Sequence, residues 1–509
     1  MQISKIIIFG SVIQHTKVNL FPMYFRYLLV VLFLSCSQFV SAQEDTLHIG
    51  IHQLESRKFR SRGDSMLLQQ QPSPGRPSSL LTYKKLELSR KVFGWHPYWA
   101  SASAYLSYDY SLLTHLSYFS YETDTVTGGY KTINGWDQTP IIDYAHQRGV
   151  KVLLTVTNFG TAANHAILRD TLKQIKMIQT LTALLKSRNG DGVNFDLELV
   201  SLAHRSDLVA FMRRAAKAIR AEIPGAEISM ATPAVDWNGS WDLPALATIC
   251  DYLIVMGYDY FWSGSTTAGP VSPMAGESYN VTKSMDTYLT AGVPPQKLML
   301  GIPWFGYNWP VTSSDRKATA TGKATSLTSV AADALALTYG KTFDQTTKVP
   351  WISYKDGSNL FRQIWYDDGT SYPIKFDLVN NRNLAGIGIW ALSYENGKQD
   401  LWQGIQSAFS PTAVDDPLTI QKSDNGLALF PNPVNGTATI RFTLAERQNV
   451  DLSVMDLSGK LVISVLSRKL PADHYTILLD CSHLKNQVYL LVFKSTKGNL
   501  TRKFVVKNN

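Results

Sequence analysis

Cysteine is scarce in this sequence, with three residues in 509, at Cys36, Cys250 and Cys481. Cys36 lies in an apolar N-terminal run and Cys250 in an apolar strand-like stretch, so we expect neither a disulfide framework nor a cysteine metal site. The ten histidines show no metal-ligand spacing, and we predict no cofactor and no metal ion. Sustained apolar runs are confined to the N-terminal region, which argues against a protein with many membrane spans. With 45% hydrophobic and 17% charged residues, the chain is neither wholly disordered nor fibrous.

The net charge of +9 does not belong to the body of the chain. Eight basic and three acidic residues lie between Glu55 and Arg90, and six basic and no acidic residues lie between Lys485 and Lys507. The remainder is therefore close to neutral. A nucleic-acid groove would require lysine and arginine on the body, so we predict no nucleic-acid partner.

The N-terminal region is typical of an exported protein. Residues 23–42 contain one arginine, an apolar stretch and the small-residue end Val40-Ser41-Ala42, which together predict a signal peptide within residues 1–42. We favour Met23 as the first residue of the translated protein. We also favour cleavage after Ala42 over a lipoprotein site at Cys36. Residues 43–90 are polar and rich in glutamine and proline, and we interpret them as a leader or linker without a core of its own.

Eight apolar, strand-like runs recur between Lys91 and about residue 410. They begin at Lys91, Leu113, Lys151, Gly192, Ala226, Tyr252, Leu298 and Gly386. Amphipathic helices are predicted between several of them, including Thr171 to Lys186 and Asp207 to Glu222. Strands that alternate with helices predict an α/β fold, a (β/α)8 TIM barrel over residues 91–410. The long gap after the seventh run predicts a small α+β insertion at about residues 307–384. A doubly wound open sheet is the alternative, but no glycine-rich phosphate fingerprint follows the first run.

The chain changes character again after about Pro411. From Gly426 onward, apolar and polar residues alternate, as in TATIRFTL, and turn signals recur at Asn432-Pro433, Asn435-Gly436 and Ser458-Gly459. Short strands at this spacing predict a C-terminal all-β sandwich over residues 426–509.

The fourth run, Asp191-Gly-Val-Asn-Phe-Asp-Leu-Glu198, carries the strongest chemical signal. Alternate side chains of a strand share a face, so Asn194, Asp196 and Glu198 point together. In a barrel that face is the interior, and Glu198 falls at the C-terminal mouth, where barrel enzymes carry their active sites. Burying two neighbouring carboxylates raises the pKa of one of them, as a general acid requires. The alternative is an acidic strand end satisfied by helix N-termini or by a salt bridge.

This string resembles the DGxDxDxE signature of glycoside hydrolase family 18, the chitinase family. Met256-Gly257-Tyr258-Asp259 is similar to the family's MxYD motif, and Gly301 to Tyr307 is similar to its GxPxYG segment. Trp390 falls where the family has a tryptophan on the eighth strand. The resemblance covers about residues 91–405.

The resemblance implies a role for each matching residue. Glu198 would protonate the glycosidic oxygen, Asp196 would hold the N–H of the substrate's 2-acetamido group, and Tyr258 would hydrogen-bond its carbonyl. The acetamido oxygen would replace a protein nucleophile. Trp390 would form the floor under the sugar, and Asp259 would support the acid. Met256, Trp95 and Trp304 join the predicted substrate-binding set, and other strand-end aromatic residues could line the groove: Tyr98, Trp99, Phe159, Trp262 and Trp309.

Asn194 departs from the family pattern, which has an aspartate at this position. An asparagine can donate a hydrogen bond to Asp196 but cannot take up a proton. With this asparagine the string resembles the GVNxDxE motif of spore-cortex peptidoglycan hydrolases. Asn194 therefore leaves chitin and peptidoglycan both open as substrates.

The C-terminal region resembles the sorting tail of type IX secretion cargo, on three segments and a basic end. The three segments are Leu429 to Pro433, Met455 to Lys460 and Val488 to Leu491, and the basic end is Arg502 to Lys507. A fibronectin-like carbohydrate module is the alternative. We therefore expect a monomeric glycosidase, secreted or held at the outer cell surface, that acts beside N-acetylglucosamine in a polysaccharide. The competing interpretations are an enzyme on chitin, an enzyme on peptidoglycan or N-glycans, and a catalytically silent sugar-binding protein.

Overall fold

The structure is a computed structural model that describes residues 48–67, 86–398, 400–410, 427–444, 446–471, 473–496 and 498–508. The predicted signal peptide, with Met23 and Cys36, lies outside the described residues. The chain divides into two compact units, one up to Ser410 and the other from Pro411. Cys250 and Cys481 are buried and free. Within the described ranges, no helix combines the length and the hydrophobicity that crossing a membrane requires.

The first unit is built on a closed barrel of eight parallel strands, which confirms the predicted fold class. These strands are β1 (Lys91–Pro97), β2 (His115–Thr123), β4 (Lys151–Phe159), β5 (Gly192–Glu198), β6 (Glu227–Pro233), β7 (Tyr252–Met256), β8 (Leu298–Pro303) and β14 (Gly386–Trp390). The short β3 (Tyr130–Thr132) extends β2 at one edge. Strand β1 pairs with both β2 and β14, and this double pairing closes the barrel.

Ten α-helices are described, and most of them follow a barrel strand. They are α1 (Ile51–Leu67), α2 (Ile141–His146), α3 (Thr161–Leu168), α4 (Thr171–Arg188), α5 (Arg205–Glu222), α6 (Leu243–Ile249), α7 (Val281–Thr290), α8 (Ser329–Tyr339), α9 (Tyr372–Asn381) and α10 (Asp400–Phe409). Short 3-10 helices occupy Ala104–Ser107, Leu202–His204 and Pro295–Lys297.

The sequence explains the bounds of α4 and the packing of α5. The Asp170 side chain accepts hydrogen bonds from the backbone N–H groups of Leu172 and Lys173, which caps the start of α4. Asn189, in the left-handed region at φ 52°, ends it. Helix α5 buries Leu208, Phe211 and Ile219, residues at helical spacing, against the barrel. Both predicted helices are therefore present.

A five-stranded antiparallel sheet lies between β8 and β14, where the sequence predicts an insertion. Its strands are β9 (Phe305–Pro310), β10 (Thr325–Thr328), β11 (Thr342–Asp344), β12 (Val349–Lys355) and β13 (Phe361–Tyr366), in the order β10-β9-β13-β12-β11. Helix α8 packs on this sheet around a small core of Ala332, Ile352, Ile364 and Tyr366. The insertion therefore has a core of its own, beside the core of the barrel.

The second unit is all-β, as predicted. Its strands are β15 (Ala428–Phe430), β16 (Thr437–Leu444), β17 (Gln448–Asp456), β18 (Leu461–Leu470), β19 (Asp473–Asp480), β20 (Val488–Ser495) and β21 (Gly498–Val505). They form two antiparallel sheets, β15-β16-β19 and β18-β17-β20-β21. Alternate residues such as Val450, Leu452 and Val454 are buried in a core that belongs to this unit alone.

Candidate active site

Strand β5 carries the two carboxylates into the mouth of the barrel. Asp196 is fully buried and Glu198 is 7% exposed. Phe195, the residue just before Asp196, instead contacts Phe211 of α5 on the outside of the barrel, with ring centroids 5.5 Å apart. The alternation of the strand therefore places the acids inside and the apolar residues outside. Glu198 is the last residue of β5, at the end of the strand where barrel active sites lie.

Glu198 has the electrostatic environment of a proton donor. Burial raises the pKa of its carboxyl well above the usual range, and the charges of Asp196 and Asp259 raise it further. Oε1 of Glu198 and Oδ1 of Asp196 are buried and have no hydrogen-bond partner among the described residues. A buried carboxyl whose pKa is raised in this way is suited to give a proton to a substrate.

Tyr258 and Asp259 enter the site on the loop that follows β7. Gly301, on neighbouring β8, leaves space for the tyrosine, because a Cβ there would lie 2.6 Å from the Val255 carbonyl oxygen and 3.3 Å from the Tyr258 ring. Asp259 has a left-handed backbone, with φ 60°. Its Oδ1 accepts a hydrogen bond of 3.0 Å from the Tyr307 hydroxyl. Burial raises the pKa of Asp259 to about 7.

Asn194 lies deeper in the barrel, where its amide links two other strands. Its Nδ2 donates to Ser229 Oγ at 2.9 Å, and its Oδ1 accepts from Trp95 Nε1 at 2.9 Å. From the sequence alone this amide is able to donate to Asp196, but in the structure it donates to Ser229. The difference follows from the register, because Asn194 is paired directly with Ser229 of β6, whose hydroxyl points into the same barrel interior. Asn194 is fully buried and supports the position of Trp95.

The remaining predicted binding residues separate into two groups. Trp390 and Trp95 lie close together at the mouth, with ring centroids 6.1 Å apart, and Met256 lines the adjacent cleft. Trp304 does not join them: its ring packs edge-on against Trp402 of α10, 5.1 Å away, within the helical layer. The prediction that Trp304 contacts substrate is therefore not supported by its position, because it points to the opposite side of the strand end from the site.

An open cleft adjoins Glu198. Tyr258 and Asp259 line it on one side, and Trp237 on another. Trp237 is 60% exposed and stacks edge-on with Tyr279, with centroids 4.4 Å apart. Of the other aromatic residues singled out in the sequence, Trp262 stacks on His48 at 4.8 Å, and Trp309 is buried in the inserted sheet.

Helix α1 enters the mouth of the barrel and brings residues that sequence reasoning missed. His52 hydrogen-bonds with Asp196 and Tyr258, and Glu55 accepts a hydrogen bond from Trp390 Nε1. Both residues belong to the segment that the sequence predicts to be a polar leader. The only sequence signal was the spacing of Ile51, Leu54 and Phe59 among polar residues, which is a weak helical pattern. Tyr307, which supports Asp259, was part of a matched segment but was not singled out.

His52, Asp196 and Glu198 each place one potential metal-ligand atom within 4.8 Å of the others. The contact between His52 Nδ1 and Asp196 Oδ2, at 2.7 Å, has the length of a direct hydrogen bond. This set was not visible from histidine spacing, because His52 lies 144 residues before Asp196. The absence of a metal requirement stays a prediction.

Comparison with known proteins bears on both units. Residues 92–395 match the family described as Glycosyl hydrolases family 18, and residues 428–507 match the Secretion system C-terminal sorting domain. The chain is 27% identical over 312 residues to di-N-acetylchitobiase from Rattus norvegicus, a match that covers 56% of this chain and 77% of that enzyme. It is also 27% identical over 296 residues to the cortical fragment-lytic enzyme of Bacillus anthracis, covering 55% of this chain and 65% of that enzyme.

A solved structure shares the fold of the first unit. A family 18 chitinase from Cycas revoluta, in complex with (GlcNAc)4, superposes with a TM-score of 0.56 and 21% identity, over 62% of this chain and 99% of that one. The sorting domain indicates export, followed by secretion or attachment at the cell surface. The chain is thus a member of glycosyl hydrolase family 18, a chitin-related glycoside hydrolase that carries a C-terminal secretion sorting domain.

Proposed function

We propose that this chain hydrolyses β-1,4 bonds beside N-acetylglucosamine, with retention of configuration and with the substrate's own acetamido group as nucleophile. The observation that carries the proposal is the buried trio of Glu198, Asp196 and Tyr258 at the barrel mouth. Di-N-acetylchitobiase and the cortical fragment-lytic enzyme, both similar to this chain, support the substrate class.

Glu198 acts first as the general acid. Burial and the neighbouring charges of Asp196 and Asp259 raise the pKa of the carboxyl, which favours the protonated form, so it can give its proton to the glycosidic oxygen as the bond to the anomeric carbon breaks. The acetamido carbonyl oxygen forms the new bond to that carbon, and a cyclic oxazolinium intermediate results. The ionised Glu198 then takes a proton from the water that opens the ring, and the product keeps the β configuration.

Asp196 and Tyr258 orient the acetamido group during this step. Asp196 Oδ1, buried and without a hydrogen-bond partner among the described residues, can accept the amide N–H. The Tyr258 hydroxyl can donate to the carbonyl oxygen. Burial, with the charge of Asp196 next in size, raises the Tyr258 pKa well above its usual value, so the phenol keeps the proton that it must donate.

Chitin and peptidoglycan remain the two main candidate substrates, with an N-glycan as a further possibility. Asn194 removes one carboxylate from the family pattern and ties Trp95 to Ser229 through a neutral amide. The similarity to the cortical fragment-lytic enzyme favours peptidoglycan, and the similarity to di-N-acetylchitobiase favours chitin oligomers. We favour chitin oligomers, and we propose type IX secretion machinery as the partner of the sorting domain.

The test compares Glu198→Gln with Glu222→Gln, an exposed glutamate at the end of α5. Each protein is incubated with chitin oligomers, peptidoglycan and a high-mannose glycopeptide, and the products are identified by mass. We expect Glu198→Gln to lower turnover by roughly 10²–10⁴-fold or more, because the general acid is lost while the shape of the site is kept. Glu222→Gln should retain the parent rate.

A thiazoline analogue of the cyclic intermediate tests the nucleophile. It should inhibit strongly, since a stable mimic of the intermediate collects binding reserved for the transition state. Rapid cleavage of a plain β-glucoside, or a covalent sugar ester trapped on any carboxylate, would contradict the proposed mechanism. An unchanged rate in Glu198→Gln on a natural oligomer would contradict the assignment of the acid.

A further inference from the structure

The first turn of α1 contacts two of the groups that the proposed reaction needs, Asp196 and Tyr258, and also Asp259 beside them. His52 Nδ1 lies 2.7 Å from Asp196 Oδ2, and His52 Nε2 lies 2.8 Å from the Tyr258 hydroxyl. The backbone N–H of Ile51 donates to Asp259 Oδ2 at 2.7 Å. Both ring nitrogens of the histidine are thereby occupied by the polar groups proposed to hold the acetamido group.

The His52 ring also covers the aromatic floor of the site. It stacks on Trp390 with ring centroids 3.7 Å apart and an interplanar angle of 29°. His52 and Trp390 are both fully buried. Sugar rings stack on aromatic faces in the same manner, so a sugar and this imidazole cannot occupy the face of Trp390 together. This exclusion argues against His52 as a catalytic residue that works beside a bound substrate.

The chain immediately before the helix closes the remaining side. A Cβ added at Gly50 would lie 2.6 Å from Glu198 Oε2, so the backbone of residue 50 runs directly against the acid. His48 then continues outward, stacked on Trp262. Residues 48–52 thus line the path by which a glycosidic oxygen would approach Glu198.

Two more residues on the same face of α1 anchor it. Glu55 Oε2 accepts hydrogen bonds from Trp390 Nε1 at 3.1 Å and from the Tyr394 hydroxyl at 2.5 Å. Phe59 stacks on Trp99, with centroids 5.4 Å apart. Positions 52, 55 and 59 recur at helical spacing, whereas Arg57 between them is exposed. The helix therefore presents one face to the cleft and the other to solvent.

We propose that residues 48–59 are an intramolecular inhibitor that binds the sugar site in place of substrate. The inference rests on the proposed function of that site. We define these residues as the plug. In the plug, His52 takes the place of the N-acetylglucosamine ring: its ring lies on Trp390 and its nitrogens take the hydrogen bonds of the acetamido group. Catalysis requires the plug to leave, either by displacement or by cleavage of the chain that joins it to β1.

Tethering makes such a plug effective even if its own affinity is modest. A separate helix of this length is only marginally stable in water, so a free peptide must be ordered when it binds. Within one chain, the same segment acts at an effective concentration on the order of millimolar. Inhibition in the intact chain should therefore be strong, and inhibition by the separate peptide should be weaker and competitive.

The test uses the full chain with His52→Ala and Glu55→Ala together, and Arg57→Ala as the matched control on the exposed face. Hydrolysis of a fluorogenic N,N′-diacetylchitobioside is measured for each. We expect the double variant to exceed the parent in kcat/KM by roughly tenfold or more, and Arg57→Ala to match the parent. A synthetic peptide of residues 48–67 should inhibit the double variant competitively.

Three results would overturn the plug: measurable and equal kcat/KM in parent and double variant, lower kcat/KM in the double variant, or a peptide that does not compete with sugar. If the double variant is unfolded by circular dichroism, His52→Ala alone carries the same comparison.

Binding separates this proposal from the proposed function. Calorimetry follows the peptide and tri-N-acetylchitotriose on the double variant that also carries Glu198→Gln. Absence of hydrolysis in every variant, with competitive binding of peptide and sugar intact, would reject the catalytic proposal and support the plug. Hydrolysis by parent and double variant at one rate would do the reverse.

Discussion

At each end of the barrel a histidine lies against a carboxylate at nearly the same distance. His52 Nδ1 is 2.7 Å from Asp196 Oδ2 at the mouth, and His115 Nε2 is 2.8 Å from Glu227 Oε2 at the opposite end. His115 and Glu227 are the first residues of β2 and β6, so their pair joins strands of one sheet. His52 belongs to α1, which enters the mouth but is not one of the elements that build the barrel. Similar chemistry therefore serves the framework at one end and, as we propose, a removable segment at the other.

The pKa values of two carboxyl groups, Glu227 at the end opposite the mouth and Asp259 at the mouth, are shifted in opposite directions. Burial alone would raise the pKa of Glu227, but the close contact with His115, together with Lys151, lowers it to about 2. At the mouth, burial raises the pKa of Asp259 to about 7, because its neighbours only partly oppose the cost of burying a charge. The comparison shows that a nearby cation, and not burial alone, decides whether a carboxylate stabilises the fold or is available for proton chemistry.

The largest effect on stability should come from a substitution at the end of the barrel opposite the mouth, where His115 and Glu227 lie. His115→Leu leaves the Glu227 carboxylate half-buried without its histidine, which should lower the free energy of unfolding by about 1–3 kcal/mol at pH 7. His52→Ala, the matched change at the mouth, should alter it much less, because α1 fills the mouth and is not one of the elements that build the barrel. Urea unfolding followed by tryptophan fluorescence measures both.

The same pair gives the pH dependence a definite sign. The folded-state pKa of Glu227 is lowered, so its contribution is present above the unfolded pKa of about 4.3 and is lost as the pH falls toward 2. The difference in unfolding free energy between the parent and His115→Leu should therefore shrink over that window. Equal destabilisation by His52→Ala and His115→Leu at pH 7 would remove the distinction between the two ends.

Asp259→Asn tests the electrostatics of the site at the mouth through the pH dependence of kcat/KM. The charge of Asp259 helps to raise the pKa of Glu198, after burial and Asp196. Removing it should lower the Glu198 pKa, so the alkaline limb of kcat/KM moves to lower pH by about 0.5–1 unit, the size of one Coulomb interaction of about 1 kcal/mol. The change is best made in a chain that already carries His52→Ala, because Asp259 also accepts the Ile51 N–H.

Asp286→Asn is the control for this experiment, since Asp286 is half-exposed on α7 and pairs with Arg382. Its pH profile should coincide with that of the parent. An alkaline limb that stays in place in Asp259→Asn, while kcat falls, would mean that Asp259 supports the site by shape and not by charge.

Much of the barrel could be predicted because its determinants are local in sequence. Each of the eight apolar runs is a strand, and alternation along β5 alone places Asp196 and Glu198 on the inner face. The long interval after β8 indicates an insertion because one crossover helix does not need so many residues. These features depend on periodicity and length, which a single sequence displays directly.

The partners of the site residues could not be predicted because they come from distant parts of the chain. The hydrogen bond from Asn194 goes to Ser229, and only the register of β5 with β6 reveals this. Trp304 resembles a binding residue in sequence, but its ring packs against Trp402 and therefore points away from the site. The role of His52 depends on a contact across 144 residues, with no motif around the histidine to signal it.

The smallest effect is expected at Trp237, the exposed aromatic residue at the outer edge of the cleft. Trp237 is 60% exposed and touches Tyr279 edge-on. A sugar on the leaving-group side of Glu198 can stack on this ring. Trp237→Ala should therefore raise KM for a chitin tetramer roughly 2–10-fold, with kcat unchanged, as expected for the loss of about 0.5–1.5 kcal/mol of stacking. Trp237→Phe, which keeps an aromatic face, should restore most of the loss, and unfolding should be unaffected in both. A KM that is insensitive to Trp237→Ala on the tetramer would show that the outer cleft does not hold substrate, and would confine recognition to the buried groups around Asp196.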